Sequence, residues 1–228
     1  MMKSKELRVK AWNSLKGKYW MAFAVALVMG LLASIGTSMV TTSQNMLDIV
    51  NMVETAEMDS TMQLGALVIS CSALVMSIIG FLFSVLVGSA VEVGLCNYFI
   101  KNTDSKPSFK DAFSGFKVKY GRNIGTLLLV GIKSVLWTLL FVIPGIIKSF
   151  EYAIIPYILA DDAEITSKEA FKKAKQMMKG NKWRLFKLEF SFIGWFLLCV
   201  LSLGIGTLFL IPYVNAAAAE FYVELKNN

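Results

Sequence analysis

At 228 residues, with 56% hydrophobic residues, only 17% charged ones and a mean hydropathy of +0.59, the chain has the composition of a membrane protein and not of a water-soluble domain. It contains no histidine, which removes Ser-His-Asp and Cys-His dyads, the HExxH zinc site and every imidazole general base. The net charge of +7 is gathered into three lysine-rich clusters between apolar runs and is not displayed as one basic face, so nucleic acid is not expected as a partner.

In chain order, Lys3, Lys5, Arg8, Lys10, Lys16 and Lys18 precede a first apolar run from about Trp20 to Val40. That run is long enough to cross a bilayer core and no A-x-A cleavage site follows it, so it reads as a retained span and not a signal peptide. From Thr41 to Gln63 there is no lysine or arginine, only Asp48, Glu54, Glu57 and Asp59, and the stretch reads as an acidic external loop. Leu64 to Ile100 exceeds a single upright span and predicts a tilted or extended helix. On it, Gly80, Ser84 and Gly88 form a small-xxx-small stripe where a second helix can approach closely.

A second basic cluster follows: Lys101, Lys106, Lys110, Lys117, Lys119 and Arg122. Within it Ser108 and Asp111 offer a capping box, and Phe109, Ala112, Phe113 and Phe116 recur at helical spacing. The third span runs from about Asn123 to Ile143 and turns at Pro144-Gly145 into a short fourth, Ile146 to Ala160, interrupted by Pro156. The third basic cluster holds Lys168, Lys172, Lys173, Lys175, Lys179, Lys182, Arg184 and Lys187. There Thr166 is an N-cap with Glu169 at N3, Ile165 staples onto Ala170, and Gly180 closes a helix whose apolar face is Ala170, Phe171, Ala174, Met177 and Met178. A fifth span, Leu185 to Leu203, turns at Gly204-Ile205-Gly206 into a sixth, Thr207 to Leu225, which carries Pro212.

The expected fold is therefore all-α: one integral membrane domain over residues 1–228, with about six transmembrane helices arranged as three hairpins, each preceded by a basic amphipathic cytoplasmic helix. Near the N-terminus that helix is marked by Leu7, Ala11 and Leu15. The first and third of these segments also agree as text. Ser4-Lys5-Glu6 matches Ser167-Lys168-Glu169, Lys10-Ala11 matches Lys173-Ala174, Lys16-Gly17 matches Lys179-Gly180, and Trp20 matches Trp183. This points to repeat units of about 1–100, 101–161 and 162–228. By the positive-inside rule the basic clusters and both termini are cytoplasmic, against the anionic inner leaflet.

Charges inside apolar runs are costly, so Glu92, Lys133, Lys148, Glu151, Glu189 and Glu220 require an account. Glu92, Glu151 and Glu220 fall on the returning arm of each hairpin. They read either as a polar cluster around a cavity, with Lys133 or Lys148 as counter-ions, or as charges that join helices, Lys148 and Glu151 being three apart on one helix. Pro144, Gly145, Pro156 and Pro212 are helix-break positions that mark either a ligand site or a packing kink. Lys168, Lys172, Lys173, Lys175, Lys179, Lys182 and Arg184 read as interfacial, with membrane lipids as partners. Cys71, Cys96 and Cys199 stand singly in apolar runs; no metal site, cofactor or catalytic residue is expected.

The stretch Phe141 to Tyr152 (FVIPGIIKSFEY), Ile155 to Asp161 (IPYILAD), Met178 to Trp183, Phe192 to Trp195 and Ile211 to Asn215 resemble the bacterial integral membrane family known as domain of unknown function 975, over nearly the whole chain. A fainter likeness links the proline-glycine turn and the KGN-W segment to the membrane domain attached to some glycerophosphodiester phosphodiesterases, whose catalytic domain has no counterpart here. The resemblance implies a multi-pass protein of the bacterial cytoplasmic membrane and no reaction. The expected role is non-enzymatic, organising lipid, a protein partner or a homo-oligomer. The alternative is a small transporter or lipid-handling protein using the Glu/Lys cluster.

Overall fold

The computed structural model describes residues 2–54 and 59–227, and their regular structure is all helical, with no strand among them. They form α1 Ser4–Leu15, α2 Tyr19–Glu54, α3 Ser60–Phe83, a widened π turn Ser84–Gly88 leading straight into α4 Ser89–Asp104, a 3₁₀ turn Phe109–Phe113 and α5 Ser114–Lys117. There follow α6 Tyr120–Leu140, α7 Val142–Tyr152, α8 Ile155–Asp161, α9 Ser167–Met177, α10 Lys182–Phe190, α11 Ile193–Leu201 and α12 Ile205–Lys226. Among the described residues five stretches are long and apolar enough to cross a membrane: Tyr19–Met52, Ser60–Asp104, Tyr120–Leu140, Val142–Asp161 and Ile205–Lys226. They fit a multi-pass membrane protein. Large apolar side chains on these and neighbouring segments face outward, Leu139 at 83% and Leu203 at 93% exposure, an arrangement suited to hydrocarbon and costly in water.

The chain packs as two compact units, Gly30–Gly88 and the remainder. In Gly30–Gly88 the small-residue stripe is in use: a Cβ on Gly80 would lie 2.7 Å from Met39 Cβ and 2.9 Å from the Gly36 carbonyl, and one on Gly36 would lie 2.8 Å from the Gly80 carbonyl. Helices α2 and α3 thus touch backbone to backbone at this pair. Gly88, by contrast, meets nothing. The expected acidic loop from Thr41 to Gln63 is instead mostly helix, because α2 runs to Glu54 and α3 starts at Ser60. No glycine or proline interrupts that stretch, and charge alone does not end a helix. Asp59 caps α3 by accepting from the Met62 N–H (2.8 Å) and the Thr61 hydroxyl (2.7 Å), which hold its carboxyl below the usual carboxylate range. Glu57 lies outside the described residues.

The larger unit begins three times with the same local plan. The N3 carboxylates Glu6, Asp111 and Glu169 accept from the backbone N–H of Lys3 (2.9 Å), Ser108 (2.7 Å) and Thr166 (2.9 Å). Each amphipathic segment then buries a small apolar face, including Ala11, Ala112 and Ala174, and leaves through a left-handed residue: Gly17 at φ +76°, Lys119 at φ +41° and Gly180 at φ +81°. Helices α2, α6 and α10 start immediately afterwards, the first two long and the third of nine residues. Asp111 also receives Lys101 Nζ at 2.6 Å, and that ammonium holds its carboxyl below the usual range.

Three helix boundaries differ from expectation. The turn between α6 and α7 is at Phe141 (φ −155°, ψ 126°), not at Pro144-Gly145; Pro144 is the third residue of α7. The first turn of a helix has no intrahelical partner for its N–H groups, so proline is tolerated there. Gly145 matters through packing, since a Cβ on it would lie 2.7 Å from Thr138 Cα. Likewise Pro156 is the second residue of α8, following a break at Ala153–Ile154, and Pro212 lies inside α12 without ending it. The expected single fifth span is two nine-residue helices, α10 and α11, parted at Ser191–Phe192. The Ser191 hydroxyl donates to the Leu188 carbonyl at 2.6 Å, and Phe192 is 2% exposed with its ring edge-on to Tyr213. Burying that ring is what the break achieves. Arg122 closes the other end of α8, donating to the carbonyls of Leu159, Asp162, Ala163 and Ile165.

Candidate functional site

Helix α12 is apolar and small-sided enough to sit inside the unit, with Ala216, Ala217, Ala219, Phe221 and Tyr222 buried. Two carboxylates one turn apart are buried with them, and a buried carboxylate requires a compensating cation. Lys10 Nζ, from α1, lies 2.8 Å from Glu220 Oε2. Neither Glu220 oxygen has an aligned hydrogen-bond donor, so the attraction there is Coulombic. Arg184, from α10, donates to both oxygens of Glu224 (2.9 and 2.8 Å) and to the Met2 carbonyl (2.8 Å), while the Met2 N–H donates to Glu224 Oε1 at 2.6 Å. On α7, Glu151 accepts from Lys148 (3.0 Å) and from Lys182 of α10 (2.6 Å). Asp161 accepts from the Tyr222 hydroxyl (2.9 Å) and Lys226 (2.8 Å).

Glu92 is placed differently. It projects from α4 into the junction of two cavities, of about 230 and 300 Å³, which share Glu92, Ala153 and Pro156 as lining. The smaller cavity is also lined by Glu189, Tyr157 and Asn215; the larger by Ser134, Ser149 and Tyr152. No lysine or arginine is among the lining residues of either. Pro156 stands where the break between α7 and α8 opens the wall. Two carboxylates facing an apolar-walled crevice without a cation can hold a proton or attract a positively charged group.

The expected polar cluster is thus divided. Lys148 and Glu151 meet, as their spacing suggests, but Glu220 pairs with Lys10, and Lys133 lies over the Phe171 ring at 3.7 Å from its centroid. Lys168, Lys172, Lys175 and Lys179 are exposed on and just after α9, and Lys173 is partly covered. Lys182 and Arg184, expected at the interface, turn inward to Glu151 and Glu224. Glu224 and Glu189 were not among the expected cluster. The four-residue spacing of Glu220 and Glu224 was the available signal for the first; the second is announced only as a charge within an apolar run. Among the described residues no three His, Cys, Asp or Glu side chains are grouped to hold a metal ion.

No curated protein and no solved structure matches the chain. The family described as Protein of unknown function (DUF975) matches residues 135–228, a stretch beginning within α6 and holding Glu151, Glu189, Glu220 and Glu224 but neither Glu92 nor Lys10. Over that part, somewhat less than half of its length, the chain is similar to the DUF975 family, a resemblance narrower than the one read from the sequence.

Proposed function

We propose that the protein is a non-enzymatic, multi-pass component of the bacterial cytoplasmic membrane, with both termini in the cytoplasm, that organises lipid or a protein partner through its basic amphipathic helices. The observation that carries this reading is the division of labour among cations. Lys10, Lys182 and Arg184 tie α1 and α10 to carboxylates on α7 and α12, whereas Lys168, Lys172, Lys175 and Lys179 stay exposed along one short segment. Four such charges near an anionic leaflet contribute roughly 4 kcal/mol before salt screening, at about 1 kcal/mol each. The recurrence of a capped amphipathic segment, a left-handed exit and a following helix supports descent from a repeated unit. Topology is tested in a Cys71→Ser background. Lys172→Cys is expected to react with an impermeant maleimide only in opened cells and Asp48→Cys in intact ones; the reverse pattern overturns the orientation. For lipid organisation, the fourfold lysine-to-glutamine variant of positions 168, 172, 175 and 179 is expected to immobilise less spin-labelled phosphatidylglycerol in proteoliposomes than the parent. Equal immobilisation would refute that role.

A second reading, a small transporter, is supported by the cation-free crevice of Glu92 and Glu189. It expects proteoliposomes to pass protons, Na⁺ or K⁺ down an imposed gradient, and Glu92→Gln to abolish that flux while the protein still assembles. Flux no greater than in empty liposomes removes it.

A further inference from the structure

A separate cavity of about 470 Å³ opens between α1, the start of α2, α11 and α12. Its wall is almost wholly apolar and unusually aromatic: Trp12, Tyr19, Trp195, Cys199, Phe209 and Tyr213. The wall is held in place by hydrogen bonds, the Tyr19 hydroxyl donating to the Phe209 carbonyl (2.7 Å) and the Tyr213 hydroxyl to the Arg8 carbonyl (3.2 Å). Along α12 the lining runs from Tyr213 to Gly206, about 10 Å at the helical rise per residue. That is a slot for a linear apolar chain and too narrow in polar groups to orient a polar solute.

Past the Tyr213 end of the slot, across the Phe192 ring, lies a cation with spare capacity. The chain has three arginines. Arg122 is filled by four carbonyls and Asn123, and Arg184 by Glu224, Asn181 and the Met2 carbonyl. Arg8 donates once, to the Ser191 carbonyl at 3.2 Å, and its Nε is buried with no acceptor. No carboxylate pairs with it among the described residues. It lies one helical turn before Trp12 and over the ring of Phe192, which in turn packs on Tyr213. A planar donor fork left unfilled beside an aromatic-lined slot matches a phosphate attached to an acyl chain.

We infer that Arg8 and this slot form a specific seat for one anionic phospholipid, its phosphate on the Arg8 guanidinium and one acyl chain between α11 and α12. The inference rests on the membrane reading above. The purified full-length protein, given equimolar phosphatidylglycerol and phosphatidylcholine, is expected by native mass spectrometry to retain a single phosphatidylglycerol with about fivefold preference, the equivalent of roughly 1 kcal/mol. Arg8→Gln should bring the two lipids to parity, while Lys16→Gln leaves the preference in place. Cys199→Phe fills the slot and should release both. Should that variant fail to fold, quenching of Trp12 and Trp195 fluorescence by acyl-brominated phosphatidylglycerol, compared with the Trp12→Phe and Trp195→Phe proteins, decides the matter. Equal retention of both lipids by the parent, an unchanged preference in Arg8→Gln, absence of quenching, or a cross-linked second copy occupying the slot each overturn the inference. Recovery of the protein from a detergent-free supernatant would instead overturn the membrane reading itself.

Discussion

Replacing Arg184 by methionine tests how much the buried ties on α12 contribute. The substitution keeps an aliphatic stem and removes a guanidinium that lies over the Phe221 ring at 5.6 Å and whose Nη2 bonds both Glu224 oxygens, at 2.9 and 2.8 Å, and the Met2 carbonyl at 2.8 Å. The Glu224 side chain is 4% exposed and that of Arg184 20%, so water cannot replace the lost donors. Breaking a buried pair from one side costs about 3–5 kcal/mol, whereas removing both charges is close to neutral; the Met2 N–H keeps its bond to Glu224 in the variant, which puts the expected loss at the lower end. Arg184→Met should therefore destabilise the detergent-solubilised protein by about 3 kcal/mol or more, and Arg184→Met with Glu224→Gln should recover most of that loss. Reversible denaturant titration followed by tryptophan fluorescence measures both. A single variant within about 0.5 kcal/mol of the parent, or a double variant no better than the single, would refute the argument.

Other outcomes follow from separate parts of the fold. Gly80→Leu drives a side chain into Met39 Cβ and the Gly36 carbonyl at 2.7 and 2.9 Å, where backbone cannot yield; a loss of more than about 1–3 kcal/mol is expected in thermal unfolding, and an unchanged midpoint would contradict the close approach. Gly180→Ala and Gly17→Ala meet no neighbouring atom but impose a left-handed φ of +81° or +76° on a residue with a Cβ. Each should cost about 1 kcal/mol, purely from backbone conformation. The Thr166 hydroxyl, and then its N–H, hold the Glu169 carboxyl below the ordinary glutamate value. A depressed folded value stabilises above the unfolded one and is lost as pH falls through it, so α9 amides should exchange faster as pH drops below about 4. Glu169→Gln should flatten that acid dependence; a variant with the same profile as the parent would count against the cap.

Much of the scaffold can be read from local chemistry. Runs of about 20 apolar residues announce the spans, Thr166 with Glu169 and Ser108 with Asp111 announce helix starts, and Gly180 announces a left-handed exit. Boundaries are harder because the same residue serves two purposes. Pro144 and Pro156 look like breaks, yet each is admitted to the first turn of the following helix, and the bends come two to three residues earlier. The stretch after Thr41 departs from expectation for the opposite reason: its acidic composition says which solvent it prefers, while its lack of glycine and proline lets the helix continue. The candidate site was only partly legible. Lys148 and Glu151 are neighbours on one helix, so spacing reveals them. Lys10 with Glu220, Lys182 with Glu151 and the crevice that joins Glu92 to Glu189 depend on which helices pack together. No periodicity encodes that choice.

The clasp at Met2, Arg184 and Glu224 bears on the order of assembly. Helix α1 is synthesised well before α12, yet it packs on α12 and its Lys10 charge finds its carboxylate there. A ribosome delivers those partners only after the helices in between have been made. Until α12 arrives, Lys10 of α1 therefore lacks its carboxylate. Stalled translation before Glu220 should leave α1 loosely docked and open to protease, and synthesis through α12 should protect it.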